Sequence, residues 1–92
     1  MILDFKCAAS AAMFAGRRVQ RFANIEIVAM RKLAMLHRAV DVTDLRIPPS
    51  NRLEWLKGGR AGCYSIRIND QWRLCFRFES GNAFDVEIVD YH

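Results

Sequence analysis

Apolar and polar residues recur with two different periods along this chain. Between residues 20 and 40 the period is that of a helix. At 100° per residue, Phe22, Ile25, Ala29, Leu33, Leu36 and Val40 fall on one side, with Asn24, Arg31 and Arg38 opposite. The spacing predicts one amphipathic helix over roughly residues 20–40. Before it, the alanine-rich residues 8–16 favour a second helix that stops at Gly16. Residues 2–5 are short and apolar and read as a strand or its start. From residue 63 the period becomes two. Tyr64, Ile66 and Ile68, then Trp72, Leu74, Phe76 and Phe78, then Phe84, Val86 and Ile88 alternate with polar or smaller neighbours. Asn69-Asp70 and Ser80-Gly81-Asn82 supply the turns. The pattern predicts a three-stranded antiparallel meander whose even-numbered face is apolar and lies under the 20–40 helix.

Residues 41–62 change character. Pro48-Pro49, Ser50-Asn51, Gly58-Gly59 and Gly62 mark a loop-rich connection, within which Leu53 to Lys57 reads as one short helical turn packing Leu53 and Leu56. No internal repeat or low-complexity tract interrupts the 92 residues, which are expected to form a single domain over 1–92.

Parity constrains the strand register. Directly opposed residues in an antiparallel pair share a face. The simplest register across Asn69-Asp70-Gln71 pairs Ile68 with Trp72, Ile66 with Leu74 and Arg67 with Arg73. Across Ser80-Gly81-Asn82 it pairs Phe78 with Phe84 and Arg77 with Asp85. Arg73 then faces Val89, with Tyr91 one step further on the same face. Arg77 thereby gains Asp85, whereas this register supplies no carboxylate to Arg67 or Arg73. Two opposed guanidinium groups repel by about a few tenths of a kcal/mol when exposed. Beside a tyrosine they make a seat for a phosphate, over which Lys57, Arg60 and the Gly58-Gly59 turn are placed to close. Internal pairing is the alternative: Arg67 with Asp4 or Asp44, and Arg73 with Glu87.

Charge changes the picture modestly. Lys plus Arg is 14 and Asp plus Glu is 10, a net +4. The excess lies in residues 1–46, with 8 basic and 4 acidic groups, since residues 47–92 carry 6 of each. Such a balance is compatible with an anionic partner without requiring one. Arg31 and Arg38, with Arg17, Arg18 and Arg21, read either as a solvated surface or as a docking face for RNA or an acidic protein. Cys7, Cys63 and Cys75 are odd in number and widely spaced, which suits neither a disulfide framework nor a zinc pattern. With His37 and His92 the only histidines, no metal and no cofactor is expected. His37 reads as a surface or boundary histidine. No run reaches the ~18–20 apolar residues of a membrane span, and Asp4 spoils a secretory signal, so no membrane partner and a cytoplasmic location are expected. The final residues Val89-Asp90-Tyr91-His92 read either as a frayed tail or as a strand that ends on two side chains suited to proton transfer.

Several stretches together carry a resemblance. Asn51-Arg52-Leu53-Glu54, Arg60-Ala61-Gly62, the run from Tyr64 to Arg73 and the ending Asp85-Val86-Glu87-Ile88-Val89-Asp90-Tyr91-His92 closely resemble HigB-type toxins of the RelE/ParE superfamily. Arg31 to Leu36, and Asp44-Leu45-Arg46 with Pro48-Pro49, are similar to that family as well. The resemblance covers essentially the whole chain, is strongest over residues 45–92, and is least diagnostic over residues 7–24. It implies an α+β, RelE-like fold in which two N-terminal helices pack on a small, mainly antiparallel sheet (β-α-α-β-β-β), with residues 1–5 as an edge strand. It also implies a ribosome-dependent endoribonuclease that cuts mRNA in the A site of the 70S ribosome. A HigA-type helix-turn-helix antitoxin would neutralise it, and operator DNA would be reached only through that antitoxin. The implied catalytic group is Lys57, Arg67, Arg73, Asp90, Tyr91 and His92. Asn69, Arg60, Arg31, Arg38, Arg17 and Arg18 would serve RNA or ribosome binding. The competing classes are a ParE-like toxin that binds DNA gyrase without cutting RNA, and an inactive homologue that only binds antitoxin.

Overall fold

The computed structural model describes residues 1–56 and 62–90. The expectations for Lys57, Arg60 and the Gly58-Gly59 turn, and for Tyr91 and His92, lie outside the described residues. The first helix, α1, spans Ala8–Phe14. A 3-10 stretch over Gln20–Ile25 leads into the second, α2, at Glu26–Arg38. Four strands follow: β1 Glu54–Trp55, β2 Cys63–Arg67, β3 Trp72–Glu79 and β4 Asn82–Asp90. They form one antiparallel sheet in the order β1-β2-β3-β4.

The predicted 20–40 helix is in fact two pieces. Ile25, at φ −120° and ψ 6°, separates the 3-10 stretch from α2. Both pieces still aim Phe22, Ile25, Ala29, Leu33 and Leu36 into the core. Val40 was expected on that face and is instead 78% exposed. The cause is a capping box just beyond α2. The Asp44 carboxylate accepts from the backbone N–H groups of Val40 (3.0 Å) and Asp41 (3.1 Å), while the Asp41 carboxylate accepts from Thr43 N–H (2.9 Å). With Ala39 extended, the box turns the chain away from the helix axis.

Within the segment expected to form a helical turn at 53–57, Glu54–Trp55 is a strand. Arg52 sits in the left-handed region at φ 46° and ends a 3-10 turn over Pro49–Asn51. The next residues then pair with β2, Glu54 opposite Ser65 and Trp55 opposite Tyr64, and Leu56 N–H donates to the Cys63 carbonyl at 2.8 Å. The meander therefore has four strands rather than three. Leu56 is buried and Leu53 half-buried, so the packing expectation holds although the conformation differs.

Residues 1–6 run parallel to β4 at its free edge, bridging Ile2 to Ala83 and Phe5 to Val86. The edge position agrees with the sequence reading. The pairing is broken in the middle because Asp85, at φ 54°, bulges out of β4 and donates its N–H to the Asp4 carboxylate. His37 does more than sit at a boundary. Its Nδ1 accepts the Ile2 N–H at 3.1 Å, and its ring lies 5.4 Å from that of Phe14.

The same bulge corrects the β3–β4 register. At the open end the expected pairs hold, with Arg73 opposite Val89 and Leu74 opposite Ile88. Near the turn the observed pairs are Phe78 with Ala83 and Arg77 with Phe84, one residue off expectation. Ser80 and Gly81 both have positive φ, 51° and 79°, which makes a two-residue turn of the type that matches strand twist. That tighter turn leaves one surplus residue, expelled at Asp85. Ala83 therefore faces the core in place of Phe84. Arg77 stacks over the Phe84 ring at 4.6 Å and still reaches Asp85 at 3.5 Å.

The core lies between the sheet and the helices, with Met13, Phe22, Leu33, Leu36, Ile66, Leu74, Phe76, Val86 and Ile88 at its centre. Among the described residues no helix is long and apolar enough to cross a membrane.

Candidate active site

The β2–β3 hairpin builds one side of the site. Asn69 accepts the backbone N–H groups of Gln71 and Trp72, both at 2.8 Å, and so fixes the turn with its side chain. That turn sets Arg67 directly opposite Arg73, and β4 adds Val89 in the same row. Trp72 faces Asp90, the last described residue of β4, whose Oδ2 accepts from Gln71 Nε2 at 3.1 Å. Arg67 and Arg73 are thus opposed at one end of the sheet, as the sequence register predicts, with the Asn69 turn beside them. Asp90 reaches the same end on the face it shares with Trp72. Asn69 is a builder of the turn.

The two arginines differ in their surroundings, and neither is as unpartnered as the register suggested. Arg67 is one-third exposed and pairs with Asp70, itself 98% exposed. This carboxylate lies three residues away in the turn, too local for a cross-strand register to reveal. Arg73 is 8% exposed. Its Nε donates to Ser65 Oγ at 2.9 Å, and its Nη2 donates to the Arg52 carbonyl at 2.7 Å and the Ser65 carbonyl at 3.3 Å. Glu54 Oε1 stands 3.8 Å from Nη2. The alternatives Asp4, Asp44 and Glu87 are used elsewhere. Asp4 holds the Asp85 bulge, Asp44 caps beyond α2, and Glu87 lies 3.8 Å from Lys6.

Lys32 is a cation that the sequence reading did not select. It is 7% exposed, on the edge of α2, and its Nζ donates to Asn51 Oδ1. Burial first, then the fields of Arg31 and Arg67, hold its ammonium below the ordinary lysine range. A helical wheel carries the signal that could have found it. Lys32 falls within about 20° of Ile25, inside the apolar stripe. Ser65 and Glu54 were also missed as contacts of Arg73, because their role depends on β1 being a strand.

The other arginines singled out in the sequence lie at the surface. Arg17, Arg18, Arg31 and Arg38 are all exposed. Arg21 lies over the rings of Phe22 and Trp72, at 5.3 and 5.5 Å from their centroids. Arg18 lines, with Val19, Gln20 and Ala23, a depression of about 410 Å³ beside the 3-10 stretch.

Fold and site together define a small basic α+β protein with an arginine pair at one sheet end, where β4 reaches Asp90. The HigB-like toxin family, described as RelE-like toxins of type II toxin–antitoxin systems, matches residues 15–92, and the chain belongs to it. Toxin HigB-1 of Vibrio cholerae is 47% identical over 62 residues, which is 67% of this chain and 65% of that protein. Endoribonuclease HigB of Proteus vulgaris is 42% identical over 41 residues, 45% of each chain. The matched stretches thus span less than two thirds of either relative's own length. The solved structure of YafQ from E. coli superposes with a TM-score of 0.60 over 98% of this chain and 91% of that one. At 12% identity that likeness shows a common fold.

Proposed function

We propose that this protein is the toxin of a type II toxin–antitoxin module and acts as a ribosome-dependent mRNA endoribonuclease. A HigA-type helix-turn-helix antitoxin restrains it. The observation that carries the reading is the direct opposition of Arg67 and Arg73 at the sheet end where β4 delivers Asp90. The family, and a relative named as an endoribonuclease, support it. The reaction is metal-independent. The ribose 2′-hydroxyl attacks the adjacent phosphate, and the 5′-oxygen leaves. Arg67, Arg73 and Lys57 grip the phosphate as charge grows on it, the largest single contribution in such reactions. His92 moves a proton, as acid to the 5′-oxygen or as base at the 2′-hydroxyl, for about 10²–10⁴-fold. Asp90 orients it, and Tyr91 stacks on a base or bonds the phosphate. The products are a 2′,3′-cyclic phosphate, or its 3′-phosphate hydrolysis product, and a 5′-hydroxyl. Arg17, Arg18, Arg31 and Arg38 draw the protein to ribosomal RNA, with the steep salt dependence of phosphate neutralisation. Arg60 and Asn69 contribute to RNA binding.

One observation favours a second reading. Arg73 already has acceptors in Ser65 and Arg52, as it would in an inactive antitoxin-binding homologue or a gyrase-binding toxin. Mapping mRNA 5′ ends after induction separates the two. Wild type is expected to give cuts within translated codons, and Arg73→Ala and His92→Gln to abolish them. Cuts that persist in His92→Gln would overturn the catalytic assignment. Intact mRNA with gyrase-linked DNA breaks would overturn the nuclease reading.

A further inference from the structure

A nuclease mechanism uses Arg73 but leaves the buried Lys32 without a task. An ammonium taken out of water is costly unless it is paired, and a buried ion is easily replaced by an apolar residue of similar volume. Among the described residues no carboxylate lies within ion-pair distance of Lys32. What it meets is Asn51 Oδ1. Asn51 is wholly buried, and its Nδ2 donates to the Leu45 carbonyl at 3.1 Å and lies 3.8 Å from the Met35 sulfur. The amide therefore ties α2 to the chain over residues 45–51 from the inside. The next residue is Arg52, in the left-handed conformation, and its carbonyl is the 2.7 Å acceptor of Arg73 Nη2.

We propose that Lys32 is a positioning residue: through Asn51 it fixes the Arg52 carbonyl that aims the Arg73 guanidinium. The inference rests on the reading that Arg73 grips the scissile phosphate. Two of the acceptors of Arg73, Ser65 and the Arg52 carbonyl, differ in rigidity. Ser65 belongs to β2 and is held by the strand ladder on both sides. Arg52 lies outside any strand, between a 3-10 turn and β1, and is placed by its own neighbours. Its N–H bonds back to Pro49 at 3.0 Å, and Asn51 beside it is anchored by Lys32 and Leu45. Removing the Lys32 donor loosens the Arg52 carbonyl, an Arg73 acceptor that the sheet does not hold. The Nη2 bond to Arg52 is then loosened while Nε stays on Ser65 Oγ, and the planar group as a whole can tilt. A guanidinium recognises phosphate through a planar fork, so its orientation matters as much as its charge. Displacements of ~1 Å far from the reacting atoms can cost up to ~10²-fold in rate.

The test uses the full chain in two measurements, with Lys32→Met and, should that variant fail to fold, Asn51→Ala. The first is water exchange of the Arg73 Nη–H groups, read by ¹⁵N-resolved NMR, since Nη2 is the nitrogen that donates to the Arg52 carbonyl. The second is single-turnover cleavage of a defined mRNA on purified ribosomes, in the wild-type and Arg73→Lys backgrounds. Both variants are expected to speed Nη–H exchange and to slow cleavage about tenfold when Arg73 is present. In the Arg73→Lys background the same changes are expected to cost less than about twofold, because residues acting through one another are not additive. Unchanged Nη–H exchange, or equal losses in both backgrounds, would overturn the positioning role alone. Arg73→Lys cleaving as fast as wild type would overturn the phosphate grip itself, and the positioning role with it.

Discussion

The two faces of the sheet are buried by different means. Toward the helices, Ile66, Leu74, Phe76 and Ile88 are at most 2% exposed and meet apolar neighbours. On the other face Ser65, Arg73 and Cys75 are nearly as deep, at 0%, 8% and 3%. Burial there rests on donors and acceptors, with Arg73 bonded to Ser65 and to Arg52. Apolar packing is non-directional and tolerates a neighbour of similar volume. A hydrogen-bonded guanidinium fixes where its nitrogens point. One face therefore supplies stability, and the other supplies orientation.

The largest effect that would sharpen this contrast is on the first face. Leu74→Ala removes a wholly buried side chain from the centre of β3 and is expected to cost about 2–5 kcal/mol in urea unfolding. The cleavage rate per folded molecule should stay at the wild-type value. Arg73→Met, one residue along the same strand, should do the reverse. Its stability cost is about 1–3 kcal/mol, the penalty of leaving Ser65 and the Arg52 carbonyl without their donor. On the proposed mechanism its cleavage falls by about 10²–10³-fold, as when one transition-state donor is removed. Equal activity losses in the two variants would dissolve the distinction between the faces.

Much of this arrangement was legible in the sequence, and the failures share a cause. Parity, taken with the simplest turns, placed Arg67 opposite Arg73 and Arg73 opposite Val89, because a one-residue slip would send every side chain to the other face. The amphipathic stripe placed Phe22, Ile25, Leu33 and Leu36 in the core. Parity could not foresee the Asp85 bulge, since an inserted residue breaks the alternation on which parity depends. It also could not show that Arg73 bonds the carbonyl of Arg52, 21 residues earlier. Backbone acceptors carry no sequence signature. The β1 strand was hidden for a related reason: its two residues, Glu54 and Trp55, are exposed and show no alternation.

The β3–β4 turn sets which residues reach which face, and its test is the next in size. Gly81 has φ 79°, and a Cβ there would lie 3.3 Å from the Val40 carbonyl. Gly81→Ala is expected to cost about 1–2 kcal/mol in urea unfolding, the ordinary penalty for a side chain in left-handed backbone. Unaltered stability would mean that the two-residue turn does not govern this hairpin. Smaller still is the stability effect of Arg67→Met. With its ion pair to the 98% exposed Asp70, Arg67 should contribute no more than ~0.5 kcal/mol. Its cleavage loss should nevertheless approach that of Arg73→Met, since both arginines are assigned to the same phosphate. A marked stability loss without an activity loss would remove Arg67 from the site.

The smallest expected effect lies at the start of the stretch that feeds the polar face. The Asp41 carboxylate accepts from the backbone N–H and then the hydroxyl of Thr43, and these bonds hold its carboxyl below the ordinary aspartate range despite a slight opposing effect of burial. The folded chain thus binds this proton less readily than the unfolded chain. The stabilisation is fully present above the unfolded value of about 4 and is lost as pH falls through the lower, folded value. Asp41→Asn keeps an acceptor for Thr43 but has no proton to take up. Its urea midpoint should therefore fall less than that of wild type between about pH 6 and about pH 3. Cleavage at neutral pH should be unchanged, because Lys32, Asn51 and Leu45 still anchor the chain that presents the Arg52 carbonyl. A loss of cleavage in Asp41→Asn would mean that the capping box, and not the buried amide of Asn51, places that carbonyl.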